Sequence, residues 1–118
     1  ETFEMLIDKS QISRAFQNLI INSIHSIQEK KVSNGKINLK SSINNNVLNI
    51  LIIDNGIGLK YEKNELIKPY FTTKKGKGGS GLGLAIVEKI LFDHNAEFFI
   101  QNRDDGIEGA KVEIKFDY

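Results

Sequence analysis

The chain has 118 residues, 40% of them hydrophobic and 26% charged, which is the size and composition of one globular domain around one core. Lys and Arg total 16 against 15 Asp and Glu, so a formal net charge of +1 provides no global field for nucleic acid or an anionic membrane, and any anion site has to be local. The absence of cysteine excludes a disulfide scaffold, a thiolate metal site and a cysteine nucleophile, and no apolar run reaches the ~20 residues of a membrane span.

Glu1 to Ile7 lacks the basic-then-apolar pattern of a signal peptide, and the sequence opens without Met directly on a predicted element. The expectation is a soluble domain drawn from a longer protein. Phe3, Met5 and Ile7 alternate and predict an edge strand, after which Asp8 and Ser10 offer the side-chain oxygens of a helix N-cap. Ile12, Phe16, Leu19, Ile20, Ile24 and Ile27 recur at helical spacing and predict a long helix from Gln11 to about Lys31, closed by Asn34-Gly35. Lys36 to Ser42 alternates Ile37 and Leu39 with polar neighbours, Asn44 to Asn46 is a turn, and the apolar run Val47 to Asp54 completes a hairpin.

From Asn55 to Gly79 no periodicity is sustained and five of the ten glycines are gathered, a pattern that predicts a long mobile loop. Loops of that length are usually lids or binding loops. A second helix, entered through a glycine-rich turn at Ser80-Gly81 and running to Asp93, carries Leu84, Val87, Ile90 and Leu91 on one side. Ala96 to Gln101 and Ala110 to Phe116 are two strands about a turn at Asp104-Asp105-Gly106. The order β-α-β-β-loop-α-β-β, with strands following one another directly and two helices to cover one face, predicts an α+β two-layer sandwich rather than a doubly wound parallel sheet.

Three segments carry candidate chemistry. Arg14, Asn18, Asn22 and His25 fall at steps of four, four and three along the first helix, one continuous stripe. Asn is a mediocre helix former, so two a turn apart beside an apolar face have either a solvated role or a ligand; an amide oxygen suits Mg²⁺ when phosphates supply the remaining groups. Asp54 ends an apolar strand and is followed by Gly56 and Gly58, so an acceptor-only carboxylate stands beside backbone that a flat ring can approach. An Asn-Gly hairpin turn is the alternative, although Lys60-Tyr61-Glu62-Lys63 supplies no second strand.

The third segment, Phe71 to Leu84, runs glycines and lysines into a helix, where free N–H groups and the positive helix end suit phosphate oxygens. Gly76-x-Gly78-x-x-Gly81 imitates a dinucleotide fingerprint without the apolar strand that should precede it. Gly76-Lys77 lacks the upstream glycine and the following Ser or Thr of a P-loop. A solvated loop remains the plain alternative. His25 and His94 are the only histidines, with no partner at zinc-ligand spacing.

In this order the segments resemble the four boxes of the ATP-binding catalytic domain of sensor histidine kinases, within the gyrase, Hsp90, histidine kinase and MutL superfamily. Asn18-Leu19-Ile20-Ile21-Asn22 is similar to the N box, Asp54-Asn55-Gly56-Ile57-Gly58 to the first glycine box, Pro69-Tyr70-Phe71-Thr72-Thr73-Lys74 to the F box and Gly79-Ser80-Gly81-Leu82-Gly83-Leu84 to the second glycine box. The Phe-Thr-Thr-Lys form resembles most the nitrogen-regulation kinases of NtrB and NtrY type. The resemblance covers nearly the whole chain and implies a Bergerat-type ATP-binding fold over residues 1–118: a mixed sheet covered by helices on one face, with a long ATP lid at about residues 55–80.

By position, the resemblance implies that Asp54 accepts from the adenine amino group, that Gly56 and Gly58 shape the base pocket, and that Asn22 with Asn18 holds Mg²⁺ against the phosphates as the catalytic pair. His25 stands where the family often has Lys or Gln facing phosphate. Thr73, Lys74, Lys77 and Gly79, Ser80, Gly81, Leu82 and Gly83 would form lid and phosphate cradle, with Leu82 and Leu84 anchoring the lid. Three positions depart from the pattern: Lys68 replaces the usual acid before Pro69, Asn95-Ala96 replaces a glycine pair after His94, and Asn18 occupies the place of the general-base Glu of hydrolysing relatives. Without that base, attack by water should be slow.

The implied activity is transfer of the γ-phosphate of Mg·ATP to a histidine on a dimerisation and phospho-acceptor domain elsewhere in the parent chain. A response regulator would be an indirect partner and nucleic acid none. The piece would be monomeric and the parent a homodimer, with a cytoplasmic catalytic domain and anchoring in the inner membrane. The alternative is a nucleotide-responsive docking module without phosphotransfer.

Overall fold

The computed structural model describes residues 4–31, 33–60, 63–68 and 83–117. Its elements run α1 (Lys9–Lys30), β1 (Ile37–Asn44), β2 (Val47–Asp54), α2 (Lys63–Leu66), α3 (Gly83–Asp93), β3 (Ala96–Asn102) and β4 (Ala110–Asp117). Asp8 starts α1: its carboxylate accepts the Gln11 N–H and the Ser10 hydroxyl, each at 3.2 Å, satisfying a donor that the first turn leaves open. Lys31 ends the helix in the left-handed region, with φ 63, and donates its N–H to the carbonyls of Ile27 and Gln28.

The sheet order is β1-β2-β4-β3. β1 turns into β2 through Asn45 and Asn46, whose φ angles of 52 and 64 are those of a two-residue hairpin turn that follows the twist of its strands. Alternation then decides which face is buried. Leu48 and Ile52 of β2, Val112, Ile114 and Phe116 of β4 and Phe98 of β3 pack against Ala15 and Leu19 of α1 and Val87, Ile90 and Leu91 of α3. The two long helices therefore cover one face of the sheet, and among the described residues no helix is long and apolar enough to cross a membrane.

A clasp joins the far ends of the two helices. The Asp8 N–H donates to His94 Nε2 at 3.0 Å, and His94 Nδ1 lies 2.7 Å from the Ile90 carbonyl, a pair of contacts satisfied by the ring carrying its hydrogen on Nδ1. Asn95, which stands in place of a glycine in the resemblance, has φ 57, a conformation that Asn tolerates better than most residues. The departure at that position therefore keeps the turn.

The predicted α+β sandwich is present, and the long elements lie within two or three residues of their expected bounds. Three expectations are corrected. Residues 4–7 form no strand: Leu6 is fully exposed and Ile7 44% exposed, because the Asp8 cap commits the chain to α1 before the alternation can extend into a paired strand. The sheet is not mixed, for every strand pair among the described residues is antiparallel. A short turn reverses β1 into β2, the loop at residues 103–109 reverses β3 into β4, and residues 4–7, the described part of the expected N-terminal strand, stay out of the sheet. Within the stretch read as featureless loop, Lys63–Leu66 is a short helix; residues 61–62 and 69–82 lie outside the described residues, and with them most of the expected lid.

Candidate functional site

Asp54 is the last residue of β2 and is only 3% exposed. Burial of a carboxylate is tolerated here because backbone donors converge on it: the Gly56 N–H at 2.9 Å and the Ala110 N–H at 3.2 Å both reach Oδ1. No hydrogen bond reaches Oδ2 among the described residues, which leaves a fixed acceptor available to a donor from outside.

The turn that follows is held from three sides. From α1, Ser26 Oγ accepts the Ile57 N–H at 3.0 Å. Gly56 is buried so closely on that helix that a Cβ would lie 2.1 Å from Ser26 Oγ and 2.6 Å from the Ser26 carbonyl carbon, so only glycine fits. From the end of β3, Asn102 brackets Leu59, accepting its N–H at 2.6 Å and donating to its carbonyl at 3.0 Å. Gly58 adopts φ 77 against that amide.

The third support is the loop between β3 and β4, closed by the Arg103 N–H on the Gly109 carbonyl at 3.0 Å. Arg103 Nη1 donates to the Asp54 carbonyl at 3.1 Å, and its guanidinium forms a two-toothed pair with Asp105, Nε to Oδ1 at 3.1 Å and Nη2 to Oδ2 at 2.6 Å. Hydrogen bonding to Arg103 holds the Asp105 carboxyl below the usual aspartate range, and the same bond raises the guanidinium, with smaller help from the charges of Asp105 and Asp54. A Lys30–Glu108 ion pair at 3.0 Å ties this loop back to the end of α1.

Asn18, Asn22 and His25 are half-buried on α1, while Arg14 at the head of the stripe is exposed, so the stripe beyond Arg14 is not a fully solvated face. Ser26 lies one turn, about 6 Å of rise, beyond Asn22 on nearly the same side of the helix. The side of α1 bearing Asn22 is therefore the side pinned to the Asp54–Leu59 turn. Gly83 and Leu84 open α3, and Leu84 packs against the core. A Cβ on Gly83 would meet no atom of the described residues within 4 Å. Thr73, Lys74, Lys77, Gly79, Ser80, Gly81 and Leu82 lie outside the described residues.

Sequence reasoning found Asp54, Gly56 and Gly58 but not the residues that hold them: Ser26, Asn102, Arg103 and Gly109. Ser26 was within reach of inspection, being four residues beyond Asn22. The others come from a strand end and a loop some fifty residues away, with no local signal.

Residues 7–118 match the family described as histidine kinase-, DNA gyrase B-, and HSP90-like ATPase. A putative NtrY-like sensor histidine kinase of Rickettsia conorii is 33% identical over 117 residues, covering 99% of this chain and 19% of that protein. The nitrogen regulation protein NtrY of Azorhizobium caulinodans is 35% identical over 111 residues, 91% of this chain and 14% of that protein. The chain thus spans about a fifth or less of the length of these curated relatives.

Among solved structures, the mycobacterial sensor histidine kinase MprB superposes with a TM-score of 0.81 at 22% identity, over 95% of this chain and 75% of that one, a likeness of fold. The catalytic domain of the histidine kinase ThkA gives 0.74 at 29% identity, over 94% and 68%. With the family matched across residues 7–118, the chain belongs to the histidine kinase-, DNA gyrase B- and HSP90-like ATPases.

Proposed function

We propose that this chain is the ATP-binding catalytic domain of a two-component sensor kinase of the nitrogen-regulation type, which transfers the γ-phosphate of ATP to a histidine on a separate dimerisation domain of its parent protein. One observation carries the reading: Asp54 is buried, the hydrogen bonds it accepts among the described residues both fall on Oδ1, and among them Oδ2 is left as a fixed acceptor. An exocyclic amino group on a flat heterocycle is the complementary donor, and the close-packed Gly56 keeps side chains away from the ring.

Asn22 and Asn18 offer amide oxygens of the hard type that Mg²⁺ accepts, and the half-buried position of both on α1 fits that use. Magnesium, when bound, would neutralise phosphate charge. Thr73, Lys74, Lys77 and the Gly79–Gly83 backbone would orient the phosphates, and His25 would face them from α1. In phosphoryl transfer the protein acts chiefly by positioning and charge stabilisation, and an imidazole nucleophile needs less activation than water. Asn18 in place of a general-base carboxylate accords with a domain that hydrolyses ATP slowly.

The test is Asp54→Asn. The two backbone donors select the amide oxygen for the Oδ1 position, so the fold is retained, while the NH₂ group takes the Oδ2 position and opposes the adenine amine. Calorimetry should give a nonhydrolysable ATP analogue at least about tenfold weaker, a loss of about 1.4 kcal/mol, with the unfolding midpoint little changed. Unaltered affinity would overturn the adenine assignment. For the reaction itself, labelled γ-phosphate should pass to a supplied dimerisation domain with wild-type protein and not with Asn22→Ala, and none should enter the chain alone.

A further inference from the structure

The antiparallel register of β2 and β4 runs from Val47 opposite Asp117 to Ile53 opposite Lys111 and stops one step short of Asp54 and Ala110. At that step two side chains stand in for main-chain partners. The Ala110 N–H donates to Asp54 Oδ1 at 3.2 Å, and the Asp54 carbonyl accepts from Arg103 Nη1 at 3.1 Å. Asp105 aims the guanidinium, because it occupies Nε and Nη2 and leaves Nη1 for the carbonyl. The Arg103 side chain is 12% exposed and runs beside Gly109, where a Cβ would lie 3.0 Å from Arg103 Cδ and 2.0 Å from the Asp54 carbonyl oxygen. That oxygen is therefore already at the start of β4, next to the residue that precedes Ala110.

We propose that Arg103 is a positioning residue for adenine specificity: by capping the Asp54 carbonyl it reserves the Ala110 N–H for the Asp54 carboxylate and so sets the direction of Oδ2. The inference rests on the function proposed above, in which Oδ2 receives the amino group of the base. Asp54 is 3% exposed, so its carbonyl needs a partner inside the protein. Without the guanidinium, the donor that a continued ladder would offer is the Ala110 N–H. Closing that last rung would leave the Gly56 N–H as the one donor on the carboxylate among the described residues, and a carboxylate held by one bond can turn. Lysine is no substitute, since a single ammonium cannot both hold Asp105 by two parallel bonds and present a further N–H at a fixed angle to the carbonyl.

The experiment measures by calorimetry the affinity of the 118-residue chain for ADP and for purine riboside 5′-diphosphate, which lacks only the exocyclic amino group, with Arg103→Met, Arg103→Lys and Asp105→Asn beside the wild type. The wild type should prefer ADP by about tenfold or more. Arg103→Met and Arg103→Lys should narrow that preference to about twofold while binding purine riboside diphosphate within about twofold of wild type. Asp105→Asn, at a half-exposed position, should fall between, which keeps the proposal testable if Arg103→Met folds poorly. A preference for ADP that survives in the variants, whether both affinities fall equally or neither changes, would overturn the proposal and assign Arg103 a structural role only. Wild type that binds both nucleotides equally, or neither, would instead overturn the adenine assignment, and this inference with it.

Discussion

The hydroxyl of Ser26 accepts the Ile57 N–H at 3.0 Å, and through that bond α1 carries the turn at the end of β2. The same serine backbone is what a side chain at position 56 would strike. The helix bearing Asn18 and Asn22 and the turn bearing Asp54 are thus joined as one unit, so the proposed adenine and metal roles depend on each other's geometry.

Gly56→Ala should force that unit apart. A Cβ 2.6 Å from a backbone atom cannot be relieved by trimming a side chain, so Gly56→Ala combined with Ser26→Gly should remain as defective as Gly56→Ala alone. Ser26→Ala alone leaves the Ile57 N–H without its acceptor and should reduce stability by about 1–3 kcal/mol. Urea unfolding of the three variants checks both statements.

Gly109→Ala should be the most damaging change in the loop after β3. The position has φ 150, and a Cβ there would lie 2.0 Å from the Asp54 carbonyl oxygen, the atom that also accepts from Arg103. A loss of more than about 1 kcal/mol is expected from the backbone alone, with nucleotide affinity falling in parallel because Asp54 moves. Unfolding and calorimetry on one preparation measure both.

The Arg103–Asp105 pair predicts a direction with pH. Asp105 is held below its ordinary value of 3.8, so its contribution is complete at neutral pH and disappears as pH falls below 3.8 through the lowered value. Asp105→Asn should therefore melt lower than wild type at pH 7, and the two should converge as acid is added. A difference that persisted or widened in acid would contradict the pairing.

Asn102→Ala removes two bonds to the Leu59 main chain at an exposed position, a loss of about 1 kcal/mol. Its signature is local. Amide exchange at Leu59 should quicken, while the Ala110 amide, held by the buried Asp54, stays protected.

Most of the scaffold could be read from the sequence because its signals are local. Alternation in β1, the apolar run of β2, the helical spacing from Ile12 to Ile27 and the Asn-rich turn each state their structure within a few residues. The N-terminal strand failed for the opposite reason: three alternating apolar residues are a weak signal, and the Asp8 cap, though noticed, prevailed over them. The four-residue α2 is below the length at which periodicity is visible. At the site, Asp54 and Gly56 announce themselves by an abrupt change from apolar strand to glycine turn. Arg103 and Gly109 do not, because their importance arises only when β4 is laid beside β2. Asn95 shows how a departure in sequence can preserve backbone shape.

The Ala110 N–H reaches Asp54 across 56 positions of chain, whereas the other two strand pairings are each made between consecutive strands. Each hairpin can form early and alone, but docking β2 on β4 must wait for the closure of a long loop. The acceptor carboxylate is finished only in that late event. Unfolded or half-docked chains consequently have no site to offer, and a nucleotide should act on the lifetime of the native protein: it should slow unfolding and leave the folding rate nearly untouched.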